Sequence, residues 1–246
     1  LHGTLSRAGN SAKLPVDGVI HGTYRGPGKI VELYKSQIRL PQSTLNINGV
    51  VSNNSRLALN FESSDLHVLD TIATIVTAPT PGQPTQPLGM AGTASFQGVI
   101  RGSIAAPHLT GKVEASNVRV RGTAWRVLRT DVELAPSVAS LQNAVLEPVS
   151  GGRIAFSGTA ALSKWSISQT SPISVDLTAS QINVADLARV AGMQAPVTGS
   201  LMANVRIHGT QLNPVGQGDI SILHAKVQDE TIQSAKLTFV SSGEEV

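Results

Sequence analysis

GSLMANVRIHGTQLNPVGQG, running from Gly199 to Gly218, reads as a strand, a turn and a second strand. Leu201, Ala203, Val205 and Ile207 are apolar at alternate positions, while Asn204, Arg206 and His208 between them are polar, with Met202 the exception. A period of two gives a strand one dry face and one wet face. The strand stops at Gly209-Thr210 and turns through Asn213-Pro214, because proline donates nothing to a ladder. It restarts after Gly218.

The same unit stands earlier in the chain. Gly92, Gly102, Pro107 and Gly111 map onto Gly199, Gly209, Pro214 and Gly218 with one shift of 107 (199−92, 209−102, 214−107, 218−111). Ala94, Phe96, Gly98 and Ile100 occupy the matching parity. Beyond the turn, Val113 and Ala115 give way to Val118 and Val120, as Ile220 and Ile222 give way to Ala225 and Val227. A parity change at equivalent places predicts a β-bulge or a tight turn. Leu45 to Gly49 also matches Ile154 to Gly158, so the chain is an internal repeat.

The repeat boundaries divide the chain into 1–90, 91–198 and 199–246, the last read as the start of a third copy, with the chain expected to be a piece of a longer protein. Residues 1–62 and 123–180 read as further strands, and roughly twelve to eighteen strands are expected in all. The period changes after Ser63-Ser64-Asp65, where Leu66, Leu69, Ile72, Ala73 and Val76 fall at helical spacing behind a capping residue. A matching short helix follows Asn183, with Val184, Leu187, Val190 and Ala191 inward and Gly192 as its stop. Asp70 and Asp186 occupy equivalent first-turn positions and are expected to be solvated. Thr77 to Met90, rich in proline, is the expected mobile loop. Trp125 aligns with Ile232 and is expected in the core.

The composition excludes more than it specifies. The 246 residues are 41% hydrophobic but only 3% aromatic and 14% charged, with 23 Gly, 13 Pro and no Cys. A disulfide framework and thiolate metal sites are ruled out. The net charge of +3 comes from basic residues scattered over outward positions such as Arg119, Arg121, Arg126 and Arg129. That is a solvated strand face, open to weak attraction by anionic lipid headgroups, and not a nucleic-acid surface. No apolar run reaches the length that spans a bilayer.

Enzyme chemistry finds no residues. Gly22 to Lys29 has the glycines of a phosphate loop at the wrong spacing, with Ile30 in place of the hydroxyl, and reads as a turn. The six histidines lack metal-ligand spacing, and His2, His21 and His208 share a strand-end position before glycine. Neither a catalytic constellation, a metal site nor a cofactor is expected.

Strands ending in Gly-Thr, the sequence from Ile207 through Pro214 to Ile220, and short helices of the Ile182 to Leu187 type resemble the repeating units of the TamB and AsmA-like proteins of bacteria with two membranes. The resemblance covers nearly the whole chain and implies an all-β, elongated, twisted, mostly antiparallel sheet curled into a trough, solenoid-like, with two short helices. It also implies a periplasmic location, an inner-membrane anchor helix outside this chain, and an Omp85-type outer-membrane barrel such as TamA as partner, engaged through other parts. The implied function is phospholipid transport between the two membranes together with outer-membrane protein assembly. The lining for phospholipid acyl chains is then Ala94, Phe96, Ile100, Val113, Ala115, Leu201, Ala203, Val205, Ile207, Ile220 and Ile222. The alternative is that these residues form the sealed core of a structural or adhesin-type β-repeat domain that transports nothing. Periodicity alone leaves both open.

Overall fold

Alternating residues commit the backbone to sideways pairing, and strands joined by short turns pair with their neighbours in sequence. The computed structural model describes residues 2–6, 13–76, 89–193, 197–227 and 230–243. The fold is all-β, with fourteen strands and two short α-helices among these residues. By contacts the chain divides into two compact units, Leu1–Val120 and Arg121–Val246.

The first unit holds β1 (His2–Ser6), β2 (Lys13–Arg25), β3 (Ile30–Leu40), β4 (Ser43–Val51), β5 (Ser55–Ser63), α1 (His67–Val76), β6 (Ala91–Gly102) and β7 (Pro107–Val120). Each strand pairs antiparallel with the next. The second holds β8 (Thr123–Ala135), β9 (Val138–Pro148), β10 (Arg153–Ala161), β11 (Ile173–Asn183), α2 (Val184–Val190), β12 (Val197–Gly209), β13 (Pro214–Val227) and β14 (Glu230–Ser242), paired in the same way. Within each unit the sheet is open, its first and last strands unjoined, as a trough-like fold requires.

The repeat is visible in the backbone. Gly102 and Gly209 end β6 and β12 at φ +91° and +106°, a region that glycine enters without penalty. The turns that follow are built alike: the Ala106 N–H donates to Ser103 Oγ at 3.1 Å and the Asn213 N–H to Thr210 Oγ1 at 3.1 Å. The parity change is a β-bulge in both copies. Thr93 faces Ser116 but Ala91 faces Arg119, and Ser200 faces Leu223 but Thr198 faces Lys226. One extra residue is absorbed opposite Gly92 and again opposite Gly199.

Both helices sit between strands at one end of their unit's sheet, α1 largely on the face that periodicity assigned and α2 on a different one. Leu66, just before α1, and Val68 within it are buried, with Val68 against Leu14 of β2 and with Leu40, Leu69 and Ile72 around them. Only the backbone of Ala73 and Val76 is described. In α2 the buried residues are Asp186 and Ala188; Val184, Leu187 and Val190 are half-buried and Ala191 is exposed. The expected solvation of the two aspartates is therefore corrected: Asp70 and Asp186 are 4% and 5% exposed. Their burial is tolerated because each carboxylate has donors. Asp70 Oδ2 accepts the Met90 N–H at 2.7 Å; Asp186 accepts from the Ser150 hydroxyl and, at 2.8 Å, from Arg189.

The helix ends follow their sequence signals. Asp65 Oδ1 accepts the His67 N–H at 2.9 Å, and Asn183 Oδ1 accepts the Ala185 N–H at 3.0 Å. Gly192, at φ +76°, closes α2: its N–H reaches the Arg189 carbonyl and that of Met193 the Ala188 carbonyl. Of the proline-rich loop, residues 77–88 lie outside the described residues. Gly26–Gly28 is a single 3-10 turn between β2 and β3, so the stretch resembling a phosphate loop leads into a strand and not into a helix. Trp125 is buried opposite Pro148, a core position.

Candidate functional site

Because side chains alternate across a strand, residues in register on neighbouring strands form rows across one face of the sheet. In the first unit one such row runs Leu45, Phe61, Phe96, Val113 across β4 to β7. Beside it run Leu59, Gly98, Gly111 and Leu57, Ile100, Leu109. On the helix side Ser63, Ala94 and Ala115 form a further row. Ala94, Phe96, Ile100, Val113 and Ala115 thus lie together on a single apolar face.

The second unit repeats the arrangement. Leu177, Val205, Gly218 and Phe239 make one row; Ala179, Ala203, Ile220 and Leu237 the next; Ile182, Leu201, Ile222 and Ala235 the third. Val175, Ile207 and Gly216 continue on the other side. Leu201, Ala203, Val205, Ile207, Ile220 and Ile222 are therefore neighbours on one face. Periodicity within single strands missed Leu57, Leu59, Phe61, Leu177 and Phe239, whose membership depends on register between strands.

The glycines in these rows have a packing reason. A Cβ at Gly98 would come 2.4 Å from Phe96 Cζ, and one at Gly111 would come 2.5 Å from Phe96 Cε2. The Phe96 ring lies flat over two glycines of adjoining strands. Phe239 covers Gly218, the equivalent of Gly111, in the same manner, with a Cβ there 2.4 Å from Phe239 Cε1. Each aromatic ring is held down on the sheet and the apolar face stays shallow.

Burial separates a lining from a core. Ala115 is buried, but Ala94, Phe96, Ile100, Val113, Leu201, Ala203, Val205, Ile207, Ile220 and Ile222 are only half-buried, and Leu237 in the adjoining row is 58% exposed. Closed packing is found instead near α2, where Ile182, Thr123 and Trp125 are buried. At the α1 end the apolar rows stop at hydroxyls: Ser43 donates to Ser63 at 2.9 Å and Ser63 to the Asp65 carbonyl at 2.9 Å.

The opposite face is polar. Arg206 meets Asp176 at 3.5 Å, and Asp219 takes Lys236 at 3.8 Å and the Thr238 hydroxyl at 2.8 Å. These pairs are exposed, so their part is to keep this face wet more than to hold the sheet. Among the described residues no three His, Cys, Asp or Glu come together as a metal site, and no helix is long and apolar enough to cross a membrane.

Compared with protein-family models, curated proteins and solved structures, the chain matches none. The two faces themselves carry its functional reading: one a partly uncovered aliphatic surface continuous over several strands, the other a charged surface.

Proposed function

We propose that this chain is a periplasmic segment of a TamB-like protein whose aliphatic face carries phospholipid acyl chains between the inner and outer membranes and supports outer-membrane protein assembly. The observation that carries this reading is the half-burial of ten of the eleven lining residues on rows that run unbroken from strand to strand. An acyl chain laid across such rows gains about 0.8 kcal/mol for each methylene it buries, on the order of 10 kcal/mol for a fourteen-carbon chain fully covered. Short of the hydroxyls at the α1 end, smooth rows of Leu, Val, Ile, Phe, Ala and Gly offer no polar group to arrest it. Six spacings of about 4.8 Å separate the first and last strands of one seven-stranded unit by about 29 Å. No reaction is needed for this role, so the protein is read as no enzyme. In the same reading an inner-membrane anchor and the contact with an Omp85-type barrel lie in other parts of the protein.

The sealed β-repeat alternative needs these residues dry. Their partial exposure, and the open sheet of each unit, weigh against it. Native mass spectrometry with lipid extraction, on the chain purified from a bacterial host without detergent, tests the proposal. Bound phospholipid that disappears on Ile207→Asp with Ile220→Asp, in a chain retaining its β circular dichroism, is the expected result. A folded chain that carries no phospholipid and excludes added fluorescent lipid would sink it.

A further inference from the structure

Arg56 of β5 and Arg101 of β6 are direct cross-strand partners, and His108 of β7 follows Arg101 on the same row. Both arginines are exposed on the polar face, and among the described residues no ion pair or hydrogen bond engages either side chain. Residues opposite each other on an antiparallel pair have Cβ atoms about 5 Å apart, and like charges there repel. The neighbours bring no relief. Val50 is the other partner of Arg56, Ala58 and Val99 form the next same-face pair, and Glu32, beyond Val50 on the same row, is held by Arg25 at 3.1 Å.

The repeat shows that the fold does not require this pair. At the equivalent cross-strand position in the second unit stand Ser174 and His208, followed by Val215 in place of His108. A sheet of this design forms without guanidinium groups there. Two planar, permanently charged forks side by side, with five N–H donors each, match the oxygens of one phosphate group between them.

We propose that Arg56 and Arg101 form a phosphate-binding site on the polar face of the first unit, taking the phosphate of an anionic lipid headgroup or free phosphate. His108 borders the site. The proposal stands apart from the acyl-chain reading, since it concerns the other face and a different chemistry.

The test uses the whole chain. Its binding is measured to vesicles of phosphatidylcholine with and without phosphatidic acid, and to inorganic phosphate through the arginine Nε–H resonances. Arg56→Gln or Arg101→Gln should weaken binding about tenfold, whereas Lys112→Gln, removing one charge from the same face, should change it little. Binding to phosphatidic acid vesicles identifies the headgroup as the source; a response to inorganic phosphate alone identifies free phosphate. Arg56→Glu should abolish binding in a chain at least as thermostable as the parent, because the repulsion becomes an attraction. Equal losses from Lys112→Gln and Arg101→Gln would show diffuse charge and overturn the site, as would the absence of any phosphate-dependent response.

Discussion

Asn117 and His224, 107 positions apart, adopt the same left-handed backbone at φ +52° and +50°, each at the bulge where its strand changes parity. A residue other than glycine is strained in that region, and asparagine tolerates it better than histidine. His224→Gly should therefore stabilise the chain by about 0.5–1 kcal/mol, raising the melting temperature by roughly 1–4 °C. Asn117→Gly should give less. A β-branched residue at His224 should lower the melting temperature, which differential scanning calorimetry would show.

The seat of Phe96 predicts an asymmetry among glycines. A Cβ at Gly111 would meet the Gln97 carbonyl oxygen at 2.5 Å as well as the phenylalanine ring, whereas the atoms nearest to one at Gly218 belong to the side chains of Phe239 and Val205. Backbone cannot swing aside as a ring can. Gly111→Ala should cost about 1–3 kcal/mol and Gly218→Ala clearly less, measured as shifts of the urea midpoint.

Half-burial and full burial predict different responses to charge. Val205→Asp replaces a side chain that water already reaches, and should cost about 1 kcal/mol while the chain keeps its β circular dichroism. Ile182→Asp places a carboxylate where exposure is 0%, and should cost several kcal/mol and unfold the second unit. Equal destabilisation by the two would mean that Val205 lies in a dry core.

Asp186 ties α2 into its unit through Ser150, and within the helix it pairs with Arg189. Asp186→Ala leaves the Ser150 hydroxyl without this acceptor and should destabilise by about 1–3 kcal/mol. Amide hydrogen exchange should rise first in Val184–Val190. Asp186→Asn, which can still accept from Ser150, should lose less.

Strand type, the repeat shift and the bulge position were all legible in the chain, because each is written within a few neighbouring residues: alternation from Leu201 to Ile207, glycine at 102 and 209, and a parity change after Ala115 and Ile222. The caps of α2 were legible for the same reason, since Asn183 and Gly192 act on backbone groups one turn away or less. The orientation of α2 was not. Helical spacing placed Val190 and Ala191 inward, but burying Asp186 depends on Ser150, 36 positions away in sequence.

Register between strands is a property of the folded sheet. Phe61 lies beside Phe96, and Arg56 beside Arg101, only because β5 and β6 pair at one alignment; a slip of one residue would send every side chain to the other face. Whether the aliphatic residues are covered is settled at the same level. Alternation names the residues that avoid water, but how much water still reaches Val205 or Ile220 depends on what packs above them, and that is a matter of tertiary structure.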